Sequence, residues 1–535
     1  MPFKRGTISF LLTACACLLA VPGAYAAQNG ITGPLRGMVT DPTGAVIPNA
    51  TVQISSAVSG LHRAATTDAT GQFALGNVPF NNYQLTVSAA GFATLRQKVS
   101  VSSVVGLNLT LVLQVEATAS TVTVQATGDL IEDDPTFHTD VERDQFIKVP
   151  LESQSSSLSS LVTLTTPGVS ADSNGLFHGL GDHASNSFSV DGQAISDQQS
   201  KVFSNQLPSN AIQSIQVISG APPAEYGDKT SLVIVATTRS GQGVTKPTGS
   251  INSSYGSFGS VAGGFDLSYG GAQWGNFLEA DALNSGRFLD PPEFAVFHDK
   301  GNEENFFDRV DYSFNTANSI HLNMNYSRSW FQTPNAYDNL NVQNVISGGA
   351  SSSPLFGSVG NADQLSKIGT FNIAPTYTRI ISNNSVLNLG AFVRKDLYNY
   401  FPSKNPLADL GPANLQTSSI AQIRTLMNTG IHSDVTYTKG IHDIKAGAQY
   451  EQTFLRESDS LGIVESAYNS PCMDASGNPL PGYSGPGDCA ANSVLPNPNF
   501  LQVLRPYDLT RGGTSYFFMG RTDVKELSLY IEDQI

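Results

Sequence analysis

The sequence has few cysteines, few basic residues and, beyond its first 30 residues, no long apolar run. Its 535 residues include four cysteines, and 44 acidic side chains outnumber 29 lysines and arginines, for a net charge of −15. This shortage of cations argues against nucleic-acid binding, because phosphates need a basic surface. Without about 18 consecutive apolar residues no transmembrane helix is expected, so a membrane would have to be crossed by strands of about 9–11 residues.

The first 26 residues have the pattern of an export signal. Lys4 and Arg5 precede an apolar run, and Ala24-Tyr25-Ala26 is typical of a signal peptidase site, so cleavage is expected after Ala26. Removing the two cations takes the net charge from −15 to −17. The alternative is a lipobox at residues 12–15, which would leave a long apolar stub after a lipid-bearing Cys15.

Two of the four cysteines, Cys15 and Cys17, lie in this leader, which leaves Cys472 and Cys489. An isolated pair in an exported chain is expected to form a disulfide, and the Gly- and Pro-rich sequence between them is typical of a surface loop. A metal site is the alternative, but no second cysteine pair and no nearby histidine completes one.

Residues 30–115 predict a small β-sandwich. Apolar residues alternate with polar ones in short segments, and Asp/Gly turns separate those segments at regular spacing. This alternation places six side chains in the expected core: Val52, Ile54, Phe73, Leu75, Leu85 and Val87.

Residues 186–241 carry the most informative pattern in the chain. A polar strand ends in Asp191-Gly192, and a second strand spans residues 211–219. Glu225-Tyr226-Gly227 then precede an apolar strand at 232–238. Carboxylates and glycines at strand ends are typical of tight turns, because the carboxylate accepts backbone N–H groups and glycine takes positive φ.

This succession resembles the plug domain of TonB-dependent outer-membrane receptors, which we assign to residues 148–243, with a short helix expected at 155–164. The sandwich resembles the carboxypeptidase regulatory-like domain, and the order of segments resembles Oar-like receptors. Val149-Pro150 and a Ser-rich run replace the usual start of the plug. We expect Asp191, Gly192, Glu225, Tyr226 and Gly227 to hold the plug's turns and its contact with the wall; direct contact with a ligand is the alternative.

A linker is expected at residues 116–147, rich in acidic side chains after residue 128. Within it, residues 120–126 contain Thr121, Val122, Thr123 and Val124 and resemble the TonB box, a segment that pairs edge-on with a strand of an energy-transducing partner. Such pairing needs an extended segment with free backbone groups and no proline, which this one provides. The alternative is an ordinary strand of a neighbouring domain.

Residues 244–535 predict the N-terminal part of a transmembrane antiparallel β-barrel. One strand candidate places Ile320, Leu322 and Met324 on one face and His321 and Asn323 on the other, which is the alternation of outer-membrane strands. Short and long connections alternate between the candidates, as periplasmic turns and external loops do. The ten candidates are 249–256, 261–269, 275–283, 304–314, 320–330, 370–380, 385–398, 428–438, 441–453 and 525–533.

The expected fold is therefore all-β dominated: an N-terminal β-sandwich, a small α+β plug, then barrel strands. The family's plugged barrels have about 22 strands, so ten strands indicate the N-terminal part of a longer protein or a truncated reading frame. The resemblance implies an outer-membrane location with the plug and sandwich facing the periplasm, and contact with outer-membrane lipid.

The implied function is uptake of a bulky ligand (siderophore, oligosaccharide or peptide), energised by a TonB-type inner-membrane partner. The alternative is an adhesion or matrix-attachment protein on the same barrel. No cofactor, metal or catalytic residue is expected; His178, Asp182 and His183 suggest a metal site only weakly against a solvated loop. Loop aromatics fit either sugar stacking or an interfacial girdle: Trp330, Phe331, Tyr337 and Phe356.

Overall fold

The structure is a computed structural model of the chain. The expected leader, the candidate lipobox and the candidate TonB box lie outside the residues that the structure describes. Those residues are 32–55, 62–79, 81–101, 107–115, 138–146, 157–171, 177–179, 186–195, 207–219, 222–227, 232–271, 273–289, 299–315, 317–332, 364–382, 385–402, 418–439 and 442–534.

The N-terminal strands form a sandwich of two sheets, as predicted. One sheet has the order β4-β1-β7 and the other the order β3-β2-β5-β6. All six expected core side chains are buried, and they join one apolar cluster that includes both sheets. The strands are β1 (Thr32–Thr40), β2 (Thr51–Ser55), β3 (His62–Thr66), β4 (Gln72–Pro79), β5 (Asn81–Ser88), β6 (Leu95–Val101) and β7 (Leu107–Val112).

A second body follows, built on a five-stranded sheet that we call the central sheet, in the order β12-β11-β14-β13-β8. Its apolar strand β14 is buried along its whole length, because it lies inside the sheet with both faces covered. A two-stranded sheet of β9 and β10 comes between β8 and β11 in the chain. The strands are β8 (His138–Glu142), β9 (Val169–Ala171), β10 (Phe177–Gly179), β11 (Asn186–Val190), β12 (Gln193–Ile195), β13 (Ile212–Ser219) and β14 (Leu232–Thr238).

The central sheet begins earlier in the chain than the assigned limits of the plug. Strand β8 pairs with β13 from Glu142 opposite Ser214 to His138 opposite Ile218, and a helical turn, α1 (Arg143–Phe146), follows it. Residues 138–146, expected in a solvated linker, therefore belong to packed structure. The expected short helix is present as α2 (Ser157–Thr165).

The largest element is a ten-stranded antiparallel sheet, which we call the wall. All ten predicted strands are present and pair in chain order. Short connections (271–273, 316–317, 383–384, 440–441) alternate with long ones (286–300, 333–364, 402–417, 464–515). The strands are β15 (Thr248–Tyr255), β16 (Val261–Gly270), β17 (Trp274–Ser285), β18 (Gly301–Asn315), β19 (Asn318–Gln332), β20 (Leu365–Ser382), β21 (Ser385–Phe401), β22 (Ser418–Lys439), β23 (His442–Ile463) and β26 (Tyr516–Gln534).

The two faces of the wall have opposite chemistry. On β19, Asn323, Asn325 and Ser327 are buried, while Tyr326, on the other face, is exposed. On β22, His432 and Asp434 are buried. The predicted alternation is therefore present, with the polar side chains on the inward face.

Residues 464–515 form a small segment between β23 and β26. Two short strands pair within it, β24 (Cys472–Met473) and β25 (Leu495–Pro496), beside the helix α3 (Pro486–Ala491). Cys472 and Cys489 form a disulfide with their Cα atoms 5.5 Å apart, and both are fully buried. Across the described ranges, none of the helices has the length and apolar character needed to cross a membrane.

Candidate functional site

The candidate site is the contact between the central sheet and the inward face of the wall. It begins at the turn that joins β11 to β12, where Val190 pairs with Gln193 across two residues. Asp191 has φ 47° and Gly192 has φ 82°. Positive φ at both central positions is the geometry of the tight hairpin turn that Asp-Gly favours.

Asp191 is buried, and its carboxylate joins the central sheet to two strands of the wall. It accepts hydrogen bonds from the backbone N–H of Thr238, at 3.0 Å, and from the Thr238 hydroxyl. The amide of Asn323 on β19 also donates to it, and the Arg309 guanidinium on β18 lies 3.4 Å away. Arg309 in turn donates to the Thr238 carbonyl at 3.2 Å and to Asp311 at 2.9 Å.

This arrangement keeps Asp191 ionised. Burial alone would raise its pKa, but the charge of Arg309 and the two hydrogen bonds from Thr238 outweigh burial. The pKa of Asp191 therefore lies below its usual value, and the carboxylate stays charged in the interior. A buried charge held by several donors can act as a fixed anchor between two parts of a protein.

A second contact lies beside the first and is neutral. Gln193 on β12 and Asn372 on β20 exchange a pair of amide hydrogen bonds, at 2.9 and 2.8 Å. Both side chains are buried. Because each amide satisfies the other, this contact adds specificity of position without an unpaired polar group.

A third contact is ionic and involves the other end of the wall. The ammonium of Lys445 on β23 lies 2.6 Å from the Glu225 carboxylate, and Glu532 on β26 accepts the backbone N–H of Ala224 at 2.7 Å. Residues Ala224–Tyr226 form a single helical turn there. Burial and the neighbouring Glu225 raise the pKa of Tyr226 well above its usual value, so the phenol is neutral.

The fourth contact lies where the chain passes from β14 into the wall. Arg239 pairs with Asp266 on β16 at 3.0 Å and stacks over the Phe277 ring, 4.5 Å from its centroid. Ser240 donates to Asp311 at 2.6 Å. Four contacts therefore fix the central sheet and its adjoining residues against the inward face of the wall. They involve strands β16 to β20 near one edge of the wall and strands β23 and β26 at the other.

Comparison with known proteins bears on this arrangement. Residues 34–114 match the carboxypeptidase regulatory-like domain, and residues 132–231 match the TonB-dependent receptor plug domain. The chain carries a TonB-dependent receptor plug domain. The matched residues include β8, β11, β12 and β13 of the central sheet, and β14 follows them directly. Asp191, Gln193 and Glu225, which contact the wall, lie within the match. None of the curated proteins matches the sequence.

Three of the solved structures that match the chain do so at low sequence identity and with TM-scores below 0.5. The ferric-catecholate import receptor Fiu of E. coli K12 has 12% identity over 75% of this chain and 67% of its own, with TM-score 0.46. The siderophore receptor PiuA of Acinetobacter baumannii has 13% identity, 75% and 55% coverage and TM-score 0.46. The ferric yersiniabactin uptake receptor FyuA of Yersinia pestis has 11% identity, 73% and 61% coverage and TM-score 0.42. The chain thus spans 55–67% of the length of these three receptors.

The sequence-predicted residues of the plug occupy different positions. Asp191 and Gly192 form the anchoring turn, and Glu225 meets the wall. Gly227 is exposed and ends the helical turn. Thr121, Val122, Thr123 and Val124 lie outside the described residues, as do Asp182 and His183.

The histidine and aromatic residues proposed from the sequence do not form one site either. His178 lies in β10, and the described ranges contain no group of three His, Cys, Asp or Glu residues that could hold a metal ion. Phe331 is buried and stacks on Phe288 with centroids 5.4 Å apart, whereas Trp330 points to the opposite face of β19. Tyr337 and Phe356 fall outside the described residues.

Sequence reasoning missed the wall's half of the site. Arg309 and Asn372 contact the plug, yet the sequence pattern singled out neither of them. Asn323 and Lys445 were assigned only to the polar faces of their strands. One signal was available: a charged residue on the inward face of a strand has to find a partner. The wall partner of Asp191 lies 118 residues further along the chain, so the sequence could not identify the pair.

Proposed function

We propose that this chain is a TonB-dependent outer-membrane receptor that takes up a bulky ligand, with the plug controlling passage. One observation supports this most strongly: the plug is fastened by separate polar contacts to the buried, polar face of a sheet whose opposite face is apolar and exposed. A lumen closed by a removable plug needs such a contact surface, because polar contacts can be exchanged for water.

The outward face of the wall would then meet lipid. Ile251, Ile431 and Leu529 are exposed on it, as membrane strands require. The long connections would then lie outside the cell, and the plug and sandwich on the periplasmic side. The external segment at 464–515 would be held by the Cys472–Cys489 disulfide; thiol labelling of unreduced, exported protein tests this, and two reactive thiols would contradict it.

The energy for uptake would come from a TonB-type partner that pairs with residues 120–126. Tension applied there reaches β8 before any other described strand of the plug, because β8 begins at His138 and lies at the edge of the central sheet. Strand β8 pairs only with β13, over five residues, whereas β14 lies between two strands. We therefore expect the β8 edge to be the first part of the plug to yield.

A substitution in the candidate TonB box tests this function. Val122→Pro removes a backbone donor and fixes φ, so uptake should be lost while ligand binding to the surface persists. Val122→Thr keeps the donor and is the matched control, with uptake unchanged. Accumulation of a labelled ligand by whole cells is the measurement, with iron–siderophore complexes, oligosaccharides and peptides as separate arms.

The same cells distinguish a receptor from an adhesion protein. If deleting the gene abolishes attachment to a matrix but leaves growth on every scarce ligand unchanged, the uptake function is wrong. Normal uptake by the Val122→Pro variant would show that residues 120–126 are ordinary structure.

A further inference from the structure

A groove opens on the outward face of the wall, across three neighbouring strands. It has a volume of about 610 Å³, and its lining comes from β19, β20 and β21. Three rows of paired residues cross it: Trp330–Lys367–Asn399, Arg328–Gly369–Leu397 and Tyr326–Phe371–Lys395. Gly369 stands at the centre of this block, so the missing side chain is the reason for the depression.

The groove combines cations with apolar and aromatic surface. Arg328 and Lys367 come from β19 and β20, and Lys395 comes from β21. Among the described residues of the outward face that adjoin the groove, one is acidic: Glu304, which pairs with Arg328 at 2.8 Å. Three cations against one anion leave a local charge of two positive, in a chain whose net charge is −15. Tyr326, Phe371 and Leu397, all exposed, supply the apolar lining.

The position of the groove is that of a membrane boundary. Strand β19 ends at Gln332 and β20 begins at Leu365, with the long connection 333–364 between them, so the groove lies near the long-connection end of the wall. Further toward the short connections the same face carries apolar side chains, such as Ile373 and Val393. Head groups of the leaflet on the long-connection side would lie among the three cations, which occupy three successive rows.

The cations of the groove form a local group. The residues of β22 that pair with Lys395, Leu397 and Asn399 are Met427, Thr425 and Ile423, none of them charged. This uncharged strand separates the three cations around Gly369 from the next cation of the row, Arg456 on β23.

We propose that this groove binds a membrane lipid with a phosphate-bearing head group, the phosphate lying among Arg328, Lys367 and Lys395 and an acyl chain along Tyr326, Phe371 and Leu397. Cations favour the phosphate, and burial of the chain adds apolar contact. The inference rests on the proposed function only in taking the outward face to meet lipid.

Retention of lipid by the full chain in neutral detergent tests the proposal, with native mass spectrometry as the readout. Phosphatidic acid is the probe, and phosphatidylcholine with the same acyl chains is the neutral comparison. We expect phosphatidic acid to be retained at least tenfold more tightly. Replacing Lys367 and Lys395 together by Gln should weaken its retention by on the order of tenfold or more, the scale expected for two cations at a membrane surface.

Gly369→Leu tests the shape of the groove without disturbing the strand. A Cβ at Gly369 would meet only atoms at 3.8 Å or beyond, so the side chain enters open space and fills the groove. Lipid retention should fall, while charge is unchanged. The matched controls are Gly263→Leu, at an equally open site on β16, and Lys525→Gln, an exposed lysine on β26.

Two failures can be told apart. Equal retention of the two lipids, or equal losses in the variants and their controls, would overturn the lipid site while heat-modifiable gel mobility still reports an inserted wall. If the wild-type chain shows no heat-modifiable, membrane-inserted form, the proposed function fails, and the lipid site with it.

Discussion

Apolar and polar residues alternate along the strands of both the N-terminal sandwich and the wall. The sandwich buries the apolar residues, whereas the wall buries the polar ones. In strand β2 the apolar Val52 and Ile54 are fully buried, and the polar Gln53 between them is exposed. In strand β22 the apolar Ile431 is 56% exposed, and its polar neighbour His432 is 3% exposed. The period of a strand therefore fixes which residues share a face, but it does not fix which face is inside.

The connections and the plug decide that question. The sandwich buries its apolar faces between its two sheets, and apolar residues of the plug, Ile218, Val233 and Val235, extend the same cluster. The wall's inward face is polar, and Asn323 and Asn372 there bind plug residues. Alternating connection lengths favour a membrane-type wall before any side-chain contact is known.

The largest expected effect concerns the polar contact between the plug and the inward face of the wall. Asp191→Leu removes the acceptor shared by Thr238, Asn323 and Arg309, and should cost about 3–5 kcal/mol of folding free energy, since buried donors lose their partner. Asp191→Asn keeps an acceptor oxygen and should be milder. The urea dependence of heat-modifiable gel mobility measures both. If Leu is tolerated as well as Asn, the plug is not anchored through this residue.

A pair of arginine substitutions tests the opposite orientation of the two regions. Ile431→Arg places a charge on the outward face of the wall. Near the membrane midplane, such a charge should lower the free energy of unfolding by about 2–4 kcal/mol. Gln53→Arg, on the exposed face of β2, should change stability by less than about 0.5 kcal/mol. Insertion into lipid vesicles and urea unfolding give the two values. Equal, small effects would mean that the outward face meets water.

The wall's strands could be predicted from the sequence, but their outer ends could not. Strands β22 and β23 were predicted at 428–438 and 441–453, and they extend over Ser418–Lys439 and His442–Ile463. Beyond the predicted part both faces of β23 are polar, from Arg456 to Ser460. Alternation exists only where one face meets an apolar environment, so the sequence signal ends while the backbone pairing continues.

The candidate site also has one part that could be predicted from the sequence and one part that could not. The Asp191-Gly192 turn follows from a local rule, because two neighbouring residues suffice to specify it. Its partner Asn323 lies 132 residues away, on a strand with a polar side chain at every second position. Many pairings are consistent with such a pattern, and only the three-dimensional register selects one.

The turn itself gives a smaller effect. Gly192 has φ 82°, so Gly192→Val should cost about 1–2 kcal/mol or more through a strained backbone, and should lower the yield of inserted protein. Gly249→Val is a poor control because that site is crowded by Asp266, whereas Gly263→Val is open and has no positive φ. Normal insertion with loss of ligand binding would instead assign Gly192 to the ligand site.

The smallest effect concerns a kind of turn that occurs both in the sandwich and in the segment 464–515. Asp68 accepts from the Thr70 hydroxyl at 2.7 Å and from the backbone N–H of Thr70 and Gln72, and Asp474 accepts in the same way from Asn478 and Ser476. These hydrogen bonds, that of the Thr70 side chain first, lower the pKa of Asp68, and those from Asn478 lower the pKa of Asp474.

A depressed pKa in the folded state fixes the sign of the pH dependence. The carboxylate's contribution is complete above the unfolded pKa, near 3.8, and is lost as pH falls through the lower folded value. The gap in Tm between wild type and Asp68→Asn should therefore be constant near neutral pH and close on acidification. Asp474→Asn should follow the same course, because these local hydrogen bonds are the same in both regions. A gap that widens as pH falls would show that the ionised carboxylate does not stabilise the turn.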